Sequence, residues 1–203
     1  MTVIYFLLQE EVRKMRISKD PAERKQEIIE TAMRLFYEKG YEKTSISDIA
    51  REMNVAQGLC YRYFPSKEAL FDTAVEQYAQ LQVDQMTSIL KKQGMTLIEI
   101  VEQMPTFIEA EQENSYMKKV FHGPGSREIH LRLSMSICAK MQPIVQKLLE
   151  EANERGETQI QDTAAAASFC VYGQLGILLD NEIPREERVQ RIKAFLIHVL
   201  TTL

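Results

Sequence analysis

Residues 28–71 read IIETAMRLFYEKGYEKTSISDIAREMNVAQGLCYRYFPSKEALF. Ile28, Ile29, Ala32, Met33, Leu35 and Phe36 recur at helical spacing, and Gly40 supplies a left-handed stop. Just upstream, Asp20-Pro21-Ala22-Glu23 offers an N-cap, a proline at the first helical position and a carboxylate three residues on. Ser45-Ile46-Ser47-Asp48 repeats the capping pattern, and Ile46, Ile49, Ala50 and Met53 form a short apolar stripe that ends at Asn54, a residue tolerant of positive φ. A tight turn at Asn54-Val55 leaves Gln57 to Phe64 about two turns of helix before Pro65 forbids continuation. Ser66 then caps a further helix. Two short helices joined by a tight turn make a helix-turn-helix, and the second is small enough for a major groove about 12 Å wide. Periodicity alone leaves plain helix packing open as the alternative.

Outward from this block the helical pattern continues. Leu70, Phe71, Ala74, Val75, Tyr78, Leu81, Ile89 and Leu90 predict a helix as far as Gly94, with a domain boundary inside it. Thr96 to Met104 follows with Glu99 closing a capping box, then a break at Pro105 and a short segment up to Phe121-His122-Gly123-Pro124-Gly125. A helix from Ser126 to about Arg155, kinked at Pro143 and stopped at Gly156, precedes two more over 162–179 and 184–201. No period-2 strand stands out. The expected fold is all-α: an extension over 1–19, a three-helix helix-turn-helix domain over 20–72 and a larger helical domain over 73–203.

Composition bounds the class. The chain has 203 residues, 45% apolar and 27% charged, with eight Gly and six Pro, as in globular proteins rather than disordered or fibrous ones. Cys60, Cys138 and Cys170 lie far apart without a CxxC pair, which points to reduced thiols and a cytoplasmic setting. The apolar run Val3 to Leu8 is far short of the ~20 residues that span a bilayer, so neither membrane anchor nor signal peptide is expected. Net charge is −4, with the first 75 residues neutral and the rest acidic, a balance that neither supports nor excludes a nucleic-acid partner. HExxH, a zinc-spaced Cys/His cluster, a phosphate loop and GxSxG are all missing. His122, His130 and His198 are scattered, so no catalysis, metal or cofactor is expected.

The residue detail of the block resembles the TetR family of transcriptional repressors. The family pattern is a helix ending in F-x-x-x-G-(Y/F), then T-(S/T)-x-x-x-I-A, a turn with V, then G-x-x-Y-x-(Y/H)-F-x-S-K-x-x-L. Phe36, Gly40, Tyr41, Thr44, Ser45, Ile49, Ala50, Val55, Gly58, Tyr61, Tyr63, Phe64, Ser66, Lys67 and Leu70 all fall in register. The resemblance covers about a fifth of the chain. It implies that Gln57 to Phe64 is a recognition helix and that the protein is a homodimeric repressor of a palindromic operator, released by a small-molecule inducer.

On that helix Gln57 is the best base reader, since its amide donates and accepts at once and suits a bidentate contact to adenine. Gly58 would let backbone approach the DNA, Tyr61 could present a hydroxyl to phosphate or a ring edge to a thymine methyl, and Arg62 could reach phosphate or guanine. Thr44 and Ser45 open one helix and Ser66 with Lys67 another, the usual positions for phosphate contacts, with the Tyr63 hydroxyl nearby. Each hydroxyl could equally be a simple cap, and Tyr63 core. Ile46, Ile49, Met53, Val55, Cys60 and Phe64 are assigned to packing. Leu59 and Ala56 stand where the family usually has polar residues, which shifts weight onto Lys67, Tyr61 and Arg62.

Residues 1–20 extend beyond the usual family start, and Met15 reads as an alternative beginning; Arg13, Lys14, Arg16 and Lys19 form either a solvated tail or a minor-groove arm. In the larger domain, Ala164 to Ala167, Cys170, Gly173 and Gly176 are small residues opposite Val189, Ile192, Phe195, Leu196, Val199 and Leu200. Two such helices from each subunit would make a four-helix homodimer interface. Met104, Phe107, Tyr116, Phe121, His122, Met135, Cys138 and Tyr172 are the candidate lining of a pocket for an apolar or amphipathic inducer, with core packing as the alternative for each. A constitutive DNA-binding or nucleoid factor, or an activator, is the competing function.

Overall fold

A computed structural model describes residues 19–92, 94–106, 109, 127–180 and 182–202. The described residues contain helices and turns and no strand. The helices are α1 Pro21–Lys39, α2 Ile46–Glu52, α3 Gln57–Tyr63, α4 Lys67–Thr87, α5 Leu97–Gln103, α6 Arg127–Glu154, α7 Thr163–Tyr172, α8 Leu175–Leu178 and α9 Arg185–Thr202. Contacts divide the chain into two compact units that meet inside α4, at Leu70 and Phe71. The expected all-α architecture is the one observed.

In the first unit the caps do what the sequence asks of them. The Asp20 carboxylate accepts from the Ala22 and Glu23 N–H groups, and Pro21 takes the position whose N–H needs no partner. At the other end the Gly40 N–H closes on the Phe36 carbonyl at φ +89°, a backbone setting that penalises a side chain. The core of this unit is Ile28, Ile29, Ala32, Met33, Leu35 and Phe36 from α1 with Ile46, Ile49, Ala50, Cys60, Phe64 and Leu70. Met53 and Val55, expected in the core, are only half-buried because they belong to the turn itself.

The second unit differs from the sequence expectation in two elements. α4 ends at Thr87 and tightens into a 3-10 turn over Ser88–Lys91, where a continuous helix to Gly94 is expected. Here the Thr87 hydroxyl donates to the Val83 carbonyl and Ser88 to that of Gln85, side-chain bonds that compete with the helical ladder. The helix expected over 162–179 is interrupted at Gly173-Gln174, giving α7 and the single turn α8. There the Gln174 side-chain amide donates to the Cys170 carbonyl, satisfying an acceptor at the break. α6 runs unbroken through Pro143, and Gly156 follows its end at φ +74°.

α7 packs along α6, and α9 against α5 and α8. Leu97, Leu149, Ala152, Ile160, Ala167, Cys170 and Leu200 form a shared core there. The Asn153 side chain pins the α6–α7 loop, donating to the Ile160 carbonyl while accepting from Ile160 N–H and the Thr158 hydroxyl. Lys193 on α9 donates to the Glu102 carbonyl at the end of α5.

Candidate nucleic-acid interface

The turn between α2 and α3 is built by backbone geometry. Asn54 adopts φ +54°, and the Val55 N–H returns to the Ala50 carbonyl at 2.9 Å, so the chain reverses in a few residues. α3 then starts at Ala56 without a side-chain cap. Only one side of α3 packs: Cys60 is buried, with Phe64 buried just beyond the helix, while Leu59 and Tyr63 are half-buried. The other side carries Gln57, Gly58, Tyr61 and Arg62, all exposed. Tyr61 is 48% exposed, high for a large aromatic, and a Cβ built on Gly58 would meet nothing within 4 Å. Gly58 therefore leaves open space outside the helix rather than accommodating a neighbour within the fold. Arg62 makes no ion pair or hydrogen bond among the described residues.

The flanking hydroxyls divide by circumstance. Ser45 is exposed and completes a reciprocal capping box: its hydroxyl accepts from Asp48 N–H and donates to the Asp48 carboxylate, which accepts in turn from Ser45 N–H. These bonds hold the Asp48 carboxyl below its ordinary value, with Arg51 a lesser contributor. Ser66 is exposed and accepts from the Ala69 N–H at the start of α4. Thr44, expected as a phosphate contact, is only 2% exposed. Its hydroxyl donates to the Gly40 and Leu35 carbonyls, so this side chain closes the α1–α2 turn.

Lys67 also carries a structural task. Its ammonium donates to the Tyr41 carbonyl at 2.8 Å and lies 4.1 Å from the centre of the Tyr41 ring, tying the start of α4 to the α1–α2 turn. Tyr41 packs edge-on against Phe36 in the core, so Lys67 is held through a chain of contacts. Sequence reading passed over Lys43, an exposed cation with no partner among the described residues, directly before Thr44 and Ser45. Its place beside the α2 cap is the signal that would have found it.

The expected ligand-lining residues are not gathered into one site among the described residues. Met104 borders a small cavity of about 90 Å³ together with Met86, Met141 and Gln174. That volume is well below the ~300 Å³ at the low end of small-molecule sites. Met135 is exposed, Tyr172 half-buried, and Cys138 fully buried with its thiol donating to the Val171 carbonyl. Burial pushes the Cys138 thiol up to about 12. Phe107, Tyr116, Phe121 and His122 lie outside the described residues. The small-residue stripe of α7 splits: Ala167 is fully in the core, Cys170 is buried between the core and an open groove of about 850 Å³, and Ala165 and Gly173 line that groove. Phe195, 62% exposed, and Val199 on α9 line it too, with Phe169, which the sequence did not single out and which is 81% exposed.

These features define a helix-turn-helix domain whose second helix has an exposed face, followed by a larger helical domain. Residues 28–74 match the family model described as bacterial regulatory proteins, tetR family. Over this domain the chain is similar to the TetR family. It is 48% identical over 56 residues to the uncharacterized HTH-type transcriptional regulator YuxN of Bacillus subtilis, a match covering 28% of this chain and 19% of that protein, so the chain spans about a fifth of that relative's length. It is 25% identical over 158 residues to the nucleoid occlusion factor SlmA of Haemophilus ducreyi, covering 75% of this chain and 78% of that one. A TetR-family transcriptional regulator from Pectobacterium atrosepticum shares the fold, with a TM-score of 0.66 and 21% identity over 93% of this chain and 97% of its own. Among the described residues no helix is long and apolar enough to cross a membrane.

Proposed function

We propose that this protein is a cytoplasmic transcriptional repressor that binds a palindromic operator as a homodimer and is released by a small-molecule inducer. The observation that carries the reading is the unobstructed face of α3, where Gln57, Gly58, Tyr61 and Arg62 are exposed and have no side-chain partner among the described residues. In this reading residues 20–72 bind DNA. Gln57 reads a base edge, Gly58 admits close backbone approach, and Tyr61 and Arg62 meet phosphate or a neighbouring base. Ser45, Ser66 and the Tyr63 hydroxyl, joined by Lys43, hold the register on phosphates, and Lys67 and Thr44 keep the helices in place for them.

Residues 73–203 bind the inducer and dimerise. The exposed Phe169 and Phe195 beside the small residues of α7 support a self-complementary apolar interface through α7 and α9. A dimer holds two recognition helices about 34 Å apart, matched to successive major grooves. An inducer that favours a different spacing lowers operator affinity by its differential affinity for the two states. Electrophoretic mobility of a selected operator with wild-type protein and Gln57→Ala tests the reading: the variant should lose preference for the operator over scrambled DNA. The similarity to SlmA over three quarters of the chain favours a second reading, a DNA-binding factor without an inducer. Operator release by a compound extract from the host cell separates the two.

A further inference from the structure

A further depression, distinct from the cavity and the groove described above, lies along α6. It has a volume of about 580 Å³, inside the ~300–1,000 Å³ range of small-molecule sites, and α6 contributes its wall from Pro143 to Arg155. The floor is apolar: Ile144 and Leu148, one turn apart, with Leu90 and Met95 from the segment between α4 and α5 and Ile100 from α5 itself. Ile144, Leu148, Leu90 and Met95 all keep part of their surface open to solvent, leaving an apolar strip on a helix face that otherwise carries charge.

The rim is predominantly cationic. Lys92 is exposed and, among the described residues, bonds the neutral Gln103 amide at 3.5 Å. The Lys147 side chain is 76% exposed and makes a long 3.7 Å pair with Glu151. Glu151, the acidic residue of the lining, also faces Arg155 at 4.0 Å, and Arg155 bonds Glu157 at 2.5 Å. Lys92 and Lys147 are thus the two charges at the mouth with the least compensation. An apolar trough of ligand size with two under-compensated ammonium groups at its edge is complementary to a molecule with a single hydrocarbon chain and an anionic head.

We infer that this cleft binds a single-chain amphipathic anion, its head on Lys92 and Lys147 and its tail along Ile144 and Leu148. Ile100 and Leu148 also line the 90 Å³ cavity. The tail gains from each methylene it buries, roughly fourfold in affinity per CH₂ until the trough is filled. The inference rests on the cleft alone and is tested without DNA, so its failure leaves the operator-binding proposal untouched.

The probe is dodecanoate, titrated below its micelle concentration into the full chain against a fluorescent undecanoate reporter, beside octanoate and dodecyltrimethylammonium. Dodecanoate should bind more tightly than both. In the double variant Lys92→Glu, Lys147→Glu, dodecanoate should lose about tenfold or more, the scale of a hydrogen bond to a charged group, while the cationic amphiphile gains. Ile144→Glu should abolish dodecanoate binding with both lysines present. Circular dichroism melts verify that these surface variants fold. Equal binding of anionic and cationic amphiphiles to wild-type protein, or undiminished dodecanoate binding to either variant, overturns the inference.

Discussion

Gln57 and Lys67 are ten residues apart and both fall in the block that matches the family model, yet their surroundings assign them different work. Gln57 is exposed on α3 without a partner among the described residues, whereas Lys67 is fixed on the Tyr41 carbonyl and ring. Gln57→Ala should leave the melting temperature unchanged and relax sequence preference by ~1–3 kcal/mol at one base position, measured by competition between operator and mutated operator. Lys67→Ala should instead lower stability by about 1 kcal/mol in urea titration and weaken operator and random DNA alike. A Lys67→Ala protein of wild-type stability would reject the anchoring role. Cys138 gives a third residue-scale expectation. Its thiol, held up at about 12 by burial, should resist alkylation in the native protein and react only on unfolding. Sign follows the same shift: the buried thiol contributes stability below its ordinary value of 9.0 and loses it as pH rises from there through about 12. The exposed face of α3 was legible from residue types and spacing. The inward turn of Thr44 was not, because a hydroxyl at a helix start looks the same in sequence whether it meets phosphate or the Gly40 carbonyl.

Helix boundaries follow local chemistry where a single side chain closes the backbone. The boxes Ser45/Asp48 and Thr96/Glu99 were both readable from four residues, and both form. Ser45→Ala should cost about 1 kcal/mol. Asp48 is held below its ordinary 3.8 by hydrogen bonds from the Ser45 hydroxyl and N–H, and Glu99 below 4.5 by those from Thr96. Their folded-state values are depressed, so these caps contribute stability above the ordinary carboxylate values and lose it as pH falls through the lower ones. The acid limb of a urea-stability curve, below about pH 4, should therefore be shallower in Ser45→Ala, Thr96→Ala than in wild-type protein. A parallel limb would dissociate the caps from acid sensitivity. The early end of α4 and the break between α7 and α8 were illegible for the opposite reason. Apolar periodicity carries on through both, and the decisive bonds come from Thr87, Ser88 and Gln174 side chains reaching back along the helix.

At the scale of the molecule, the all-α architecture follows from periodicity and punctuation, but the surface available for a partner does not. Periodicity located the small residues of α7 and the apolar ones of α9 without telling inward from outward, since α7 is apolar around most of its circumference and α9 carries its apolar residues on more than one face. Packing on α6 and α5 makes the choice, burying Ala167, Cys170, Ile192 and Leu200 and leaving Phe169 and Phe195 outside. Phe169→Glu or Phe195→Glu should shift the protein from dimer to monomer in sedimentation velocity without lowering helicity, and operator binding should fall with it. A dimer intact in both variants would move the interface elsewhere. The central claim, a dimer that reads a symmetric operator through α3, is tested most directly by selecting bound sequences from a random duplex pool with the purified full chain. The account predicts an enriched inverted repeat with half-sites about one helical turn apart, and loss of that enrichment in Gln57→Ala. Enrichment of no sequence, or of a single unpaired half-site, would contradict it.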